Sequence, residues 1–178
     1  MTLNPHLPLV YHPNYSFNFD PKHRFAMSKF AHLYQHVAEL GLIGSNLVEP
    51  ILGTPEPLEL IHCENYIHDL WNNRLDEKAM RRIGLPWSKE LMARTFTAPQ
   101  GTLQTARLAL KHGIACHLAG GTHHAHTDFG SGYCMVNDLA FTTQTLIESG
   151  EVTNVLIFDL DVHQGDGTAS PLESPLAI

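Results

Sequence analysis

No stretch of this sequence carries the roughly 18 consecutive apolar residues that a bilayer-spanning helix requires. The first residues, Met1 to His6, lack the basic start and apolar core of an export signal. Membrane insertion and secretion are therefore not expected. Basic residues are also few: eleven lysines and arginines face eighteen aspartates and glutamates, for a formal charge of −7. With no cationic run, that balance argues against an electrostatic footprint for nucleic acid. Cysteine is scarcer still. Cys63, Cys116 and Cys134 form an odd, widely spaced set with no Cys-x-x-Cys pair, which argues against a disulfide framework or a thiolate zinc knuckle. A reducing cytoplasm fits this usage best. Repeats, low-complexity tracts and linkers are missing, and 178 residues with 43% hydrophobic and 16% charged content suit one globular domain.

Turn and helix signals divide the chain. Leu9-Val10-Tyr11 reads as a first strand before the turn at His12-Pro13-Asn14. Asp20-Pro21 predicts a helix start, and Met27, Phe30, Ala31, Tyr34, Val37 and Ala38 recur at three-and-four spacing up to Gly41. Residues 47–52 read as a strand, 64–71 and 88–96 as short helices, and the part between those helices as a polar surface segment. Leu103, Ala106 and Leu110 mark a helix face that stops at Gly113, followed by a strand over 114–119. Asn137 or Asp138 then caps a helix through Leu139, Thr143, Leu146 and Ile147, which Gly150 ends. Val155-Leu156-Ile157-Phe158 is continuously apolar, as a parallel strand covered on both faces would be.

Thirteen histidines is a high count for this length, and clustering singles some of them out. After the last apolar run stands Asp159-Leu160-Asp161-Val162-His163, then Gly165-Asp166-Gly167. Alternation along an extended chain projects Asp159, Asp161 and His163 to one side. Buried together, two carboxylates and an imidazole need a metal or hydrogen-bond partners. The second cluster is Gly120-Gly121-Thr122-His123-His124-Ala125-His126. The strand-helix-strand order makes both strand ends meet on one sheet edge, where open α/β sheets place their ligands. Each motif alone has a plain structural reading, as helix-capping carboxylates or surface histidines; their predicted meeting favours a site.

Oxygen and imidazole donors suit Zn²⁺, which in catalytic sites takes three protein ligands and keeps a position for water. Asp161 and His163 are candidates for two of them. Asp159 is placed to accept a hydrogen bond from His123, and Asp166 to do the same for His124, each fixing a tautomer. One histidine then serves as general base, the other as proton donor to a leaving amine. Cys134 beside them reads as a buried structural residue. Gly130-Ser131-Gly132 lacks the third glycine and preceding strand of a dinucleotide fingerprint. Tyr11, Tyr15, Phe17 and Phe19 read as packing.

Three ordered motifs, residues 120–125, 132–138 and 159–168, resemble the signature of zinc-dependent histone deacetylases and related bacterial deacetylases and amidohydrolases. The similarity extends back through His12-Pro13, Lys22-His23-Arg24 and residues 62–66, and the style of Arg24 to Phe30 is closer to bacterial-type and class IV members. The resemblance implies an α/β fold with a three-layer parallel sheet of the arginase/deacetylase kind. It implies that Asp161 and His163 hold zinc, that His123 and His124 form the catalytic dyad, and that Asp159 and Asp166 support it. It implies a K⁺ site through Asp159, Asp161 and backbone carbonyls, and a narrow acyl-lysine tunnel lined by Gly132 and Tyr133. Arg24 would lie near an internal cavity through which acetate leaves. The substrate is an acetylated protein or a small N-acyl amine such as an acetylpolyamine.

The sequence also departs from that family, whose domain is about twice this long. The third zinc ligand, an aspartate, and a glycine-glycine-tyrosine segment have no counterpart here. Residues 1–169 read as the N-terminal part of a single deacetylase domain, incomplete at the C-terminus, and 170–178 as an aberrant or truncated tail whose two prolines oppose a strand or helix. An apolar sheet edge and a weakly active or inactive chain are the expectations. A noncatalytic remnant that binds a metal or partner is one alternative, and arginase-like hydrolysis at a dinuclear centre is another.

Overall fold

A computed structural model describes residues 7–172. The part of the expected tail at 173–178 and the N-terminal segment 1–6 lie outside the described residues. The described chain is α/β, with a parallel sheet in the order β2-β1-β3. Strand β1 (Leu9–Val10) pairs with β2 (Leu47–Val48) on one side and with β3 (Cys116–His117) on the other. β2 is shorter than the 47–52 expected: Pro50 offers no N–H to a ladder, and Ile51 and Leu52 are exposed.

The first helix, α1 (Lys29–Glu39), begins later than Asp20-Pro21 would have it. Asp20 accepts from the Lys22 N–H at 2.9 Å, and His23 accepts from the Phe25 N–H at 3.0 Å, so local turns consume the donors a helix would use. Helix α2 spans Glu64–Trp71 as expected. The segment after it, read as polar surface, contains α3 (Glu77–Ile83), capped by Asp76 on the Ala79 N–H at 2.7 Å and closed by Gly84 at φ 80°.

Two helices expected from the sequence are one. Helix α4 (Lys89–His112) runs from the Ser88 cap to Gly113 and carries Pro99 inside it. The lost bond at Pro99 is outweighed by burial, because residues 94–101 are all enclosed. Gly101 lets α4 pass beneath the sheet: a Cβ there would collide with the Tyr15 hydroxyl and the His117 ring. One hydrophobic cluster joins Leu58, Ile67, Leu70, Leu91, Phe96 and Phe141, and a second joins Tyr11, Tyr15, Phe30, Ala98 and Leu118. The N-terminal aromatics thus pack, as their spacing suggested.

Helix α5 (Asp138–Glu148) starts where Asn137 caps it, its Oδ1 accepting from the Ala140 N–H at 3.0 Å. The strand expected after α5 is not formed. Residues 155–158 run through the structure without a ladder partner, and the side chains meant to be covered are open, with Leu156 88% and Val162 92% exposed. Cavities of about 760 and 470 Å³ flank the segment, so nothing in the described chain packs closely enough to complete a sheet there. The helix α6 (Asp166–Leu172) also departs from expectation by including Pro171. So late in so short a helix, proline removes only one intrahelical bond.

Asn137 is wholly enclosed and makes a second pair of bonds, from Nδ2 to the Ala125 carbonyl (3.1 Å) and to Thr168 Oγ1 (3.2 Å). An Asn137→Ala change removes a cap and leaves a buried carbonyl unpaired, and should lower unfolding free energy in urea by about 2–4 kcal/mol. His62 is buried and neutral: it accepts the Asn137 N–H on Nε2 and donates from Nδ1 to the His126 carbonyl. Desolvation drops its pKa to about 4. The unfolded chain therefore binds the proton first, so stability is lost as pH falls from the ordinary histidine pKa towards 4. Between pH 7 and pH 5 this group alone should remove about 2 kcal/mol, a slope that a His62→Gln variant lacks in the same titration.

Candidate active site

Two loops approach each other beyond the sheet. The first carries His123 and His124, and its course is set by Asp138 at the start of α5. That buried carboxylate accepts from the Thr122 N–H at 2.8 Å and the Thr122 hydroxyl at 2.7 Å through Oδ1. Through Oδ2 it accepts from the Thr102 hydroxyl at 2.5 Å. Thr102 in turn meets His117 Nδ1 at 3.1 Å, and His117 Nε2 meets the Tyr15 hydroxyl at 2.8 Å. A continuous polar chain thus ties the loop to α4, β3 and the N-terminal turn. Burial lowers the His117 pKa to about 4 and raises that of Tyr15, so both are held neutral at physiological pH.

The second loop is held by its own carboxylates. Asp159 accepts the Asp161 N–H at 2.9 Å, and Asp161 accepts the His163 N–H at 2.8 Å, each reaching two residues on. These turns replace the straight strand alternation assumed from sequence.

The loops meet through histidine and carboxylate. His123 Nδ1 lies 2.7 Å from Asp159 Oδ2, and His124 Nδ1 lies 3.1 Å from Asp166 Oδ1. The two imidazoles are side by side, with ring centres 4.2 Å apart. His123 is nearly enclosed and His124 half-buried. Bonding to His123 holds the Asp159 carboxyl below the usual range, and bonding to His124 does the same for Asp166. Each carboxylate fixes the proton on Nδ1 and leaves the opposite nitrogen as an acceptor.

Asp161 and His163 stand apart from those pairs. Their donor atoms, Oδ1 and Nδ1, are 2.9 Å apart, and the His163 ring centre is 5.9 Å from that of His124. The two bonds from His163, through its N–H and its ring, hold the Asp161 carboxyl below the usual range. A carboxylate oxygen and an imidazole nitrogen are donor types that suit zinc. Among the described residues no three histidine, cysteine, aspartate or glutamate groups converge as a complete metal shell. The two donors fit part of a zinc site and do not by themselves complete one.

Gly132 and Tyr133 line the same cavity as the two histidines, about 500 Å³ in volume. Both adopt positive φ, 53° and 66°. For tyrosine that is a strained backbone, held by the Tyr133 N–H on the Ile83 carbonyl at 2.8 Å and by ring contact with Phe25 at 5.4 Å. A Cβ on Gly132 would sit 2.7 Å from the His124 ring. Arg24 also lines the cavity, at an exposed position. Cys134 is buried, and desolvation pushes its thiol up to about 11, which makes it no nucleophile.

The sequence reading gave no place in the site to several groups that matter here. His126 Nε2 lies 3.4 Å from the second oxygen of Asp166, so that carboxylate serves two histidines. Asp138 and His62 anchor the loop from behind, and Arg94 lines the cavity from α4. The adjacent Asn137-Asp138 pair carried a usable signal: one carboxamide or carboxylate suffices for a cap, which leaves the other free to hold a second element.

Comparison with known proteins identifies the family of the chain. The histone deacetylase domain matches residues 23–176. An uncharacterized protein of Picosynechococcus is 50% identical over 163 residues, covering 91% of this chain and 54% of the relative. Histone deacetylase 2 of Arabidopsis thaliana is 26% identical, covering 92% of this chain and 45% of the relative. The acetoin utilization protein AcuC of Staphylococcus aureus is 29% identical, covering 85% and 42%. The chain spans about half the length of these curated relatives. Among solved structures, an HDAC homologue from Aquifex aeolicus superposes with a TM-score of 0.78 at 24% identity, covering 96% of this chain and 49% of that one. The fold is therefore that of the deacetylases, and the chain belongs to the histone deacetylase domain family.

Proposed function

We propose that this chain carries the proton-transfer half and part of the metal site of a zinc-dependent deacylase. The substrate would be the amide of an N-acetyl-lysine side chain in a protein, or of a related small N-acyl amine. The observation that carries the reading is the pair of adjacent imidazoles, each with its own carboxylate on Nδ1, facing Asp161 and His163.

Asp161 and His163 are the residues that would hold zinc, with K⁺ beside Asp159 and Asp161. The chemistry that bound zinc supplies is polarisation of the acyl oxygen and acidification of water. His123 and His124 line the cavity, and with Nδ1 engaged by a carboxylate each has Nε2 left for proton transfer. One accepts the proton of the attacking water as its oxygen bonds to the acyl carbon; the other delivers a proton to the amine nitrogen as the C–N bond breaks. Asp159 and Asp166 stay ionised and stabilise whichever imidazole is charged. Tyr133 and Gly132 wall the entrance against the aliphatic part of the substrate. Residues 1–169 act as the N-terminal part of one such domain, in a reducing, cytoplasmic setting that three free cysteines suit.

A second reading, a noncatalytic metal- or partner-binding form, is favoured by one observation: the exposed Asp161–His163 pair meets no third donor among the described residues. A dinuclear arginase-like centre would need more carboxylates than these residues bring together.

Zinc titration of the purified chain, followed by hydrolysis of an acetyl-lysine peptide, separates the first two readings. Under the deacylase reading, zinc-dependent turnover is measurable and His124→Ala lowers it by about 10²–10⁴-fold without weakening zinc binding. Zinc binding without turnover in the wild-type chain would overturn that reading in favour of the noncatalytic one. Gly132→Ala combines an unfavourable φ with a contact on the His124 ring. It should lower turnover at least about tenfold while the melting temperature falls only modestly, as kinetics and thermal melts on one preparation would record.

A further inference from the structure

Arg94 is the feature that neither the packing nor the proton-transfer machinery uses. It projects from α4, is only 6% exposed, and lines the cavity that holds His123, His124, Asp161 and His163. Its one hydrogen bond to the described residues runs from Nε to the Tyr15 carbonyl at 3.2 Å, which leaves its terminal nitrogens without a described partner. Among the described residues no carboxylate forms an ion pair with it, although Asp138 acts on it through space. The guanidinium lies 4.8 Å from the Phe30 ring centre and 5.4 Å from that of Phe25.

A second cation shares the same two rings. Lys29 Nζ is 4.5 Å from the Phe25 centre and 5.1 Å from that of Phe30. Two positive groups beside one aromatic pair repel each other, and burial of the guanidinium adds to the cost. Desolvation accordingly pulls the Arg94 pKa down to about 10, and desolvation with Arg94 as neighbour lowers that of Lys29. Nearby acids compensate only in part: Asp138 favours the charged Arg94 and Asp161 the charged Lys29 through space, but neither bonds to the cation, because their oxygens are engaged elsewhere. Asp161 holds His163, Asp138 holds Thr122 and Thr102, and the Cys134 thiol is neutral. The cavity is also roomy: about 500 Å³, against ~30 Å³ for the one water-sized group that an acetyl methyl resembles.

We propose that Arg94, assisted by Lys29, binds the terminal carboxylate of a dicarboxylic acyl group, so that the site selects acyl chains ending in an anion. A guanidinium recognises a carboxylate with two parallel N–H donors, and Arg94 has its terminal donors uncommitted. A neutral methyl would leave the terminal donors unpaired, whereas a four- or five-carbon diacid chain fits within the cavity and brings them a carboxylate. That the carboxylate arrives on an acyl amine rests on the deacylase reading; the anion site itself does not.

The test is metal-free binding to the purified chain by calorimetry or NMR, with N-methylsuccinamate, neutral N-methylbutyramide and acetate as probes. N-methylsuccinamate should bind at least about tenfold more tightly than either other probe. Arg94→Met should abolish the difference, Arg94→Lys should keep part of it, and Lys29→Gln, at an exposed position, should weaken it severalfold without changing the melting temperature. Should Arg94→Met fail to fold, Lys29→Gln and Arg94→Lys decide. Equal binding of the neutral probe, equal binding of acetate, or wild-type affinity in the variants would each overturn the proposal. Because no metal or turnover enters the measurement, loss of the deacylase reading would leave this result intact.

Discussion

The buried carboxylate of Asp138 is the constraint on which the geometry of the candidate site depends. It sits at the start of α5, yet most of its hydrogen-bonding capacity is spent on other elements: two bonds to Thr122 in the histidine loop and one to Thr102 in α4. A charge enclosed to this degree persists only if each oxygen is met by a donor. The donors come from residues that are far apart in sequence, so satisfying one carboxylate fixes the approach of helix, sheet and loop together. The adjoining Asn137 ties the same helix start to Ala125, Thr168 and His62. Side by side, the two residues clamp the histidine segment from both ends.

The other loop obeys a different logic. Asp159 and Asp161 fold their own backbone by accepting N–H groups two residues ahead, and they remain largely in contact with solvent. Its attachment to the rest of the molecule runs through the His–Asp pairs and α6. The candidate site is thus built from one rigid and one self-supported wall. Charge attraction between exposed groups is modest in water. The enclosed His123 side of the contact is where that attraction is least screened.

Much of the site was legible in the sequence because its chemistry depends on short spacings. Asp159, Asp161, His163 and Asp166 lie within eight positions, and the His123–His124 pair is contiguous, so topology had only to bring two segments together. The α5 cap was legible for a similarly local reason. Errors arose where non-local burial decided the outcome. Two separate helices were expected where α4 runs, but enclosure on all sides carries one helix through Pro99. Asp20-Pro21 looked like a helix start, but the aspartate closes a turn instead. The apolar run at 155–158 looked covered, and a strand's coverage depends on neighbours that its own residues do not specify. Arg94 was invisible for the same reason, since nothing in a helical pattern distinguishes an inward arginine from a solvated one.

The uncovered segment from Val155 to Val162 has a consequence for motion. Its amides have no ladder to protect them, so it belongs to the part of the molecule that opens at the least free energy, while the Asn137–Asp138 region opens only with the whole. Asp159 rides on that segment. Each brief detachment would uncouple the carboxylate from His123, letting the imidazole exchange tautomers before the contact re-forms. The His123 ring is therefore tied through the neighbouring Thr122 to the buried Asp138, while the carboxylate that holds its Nδ1 rides on the uncovered segment.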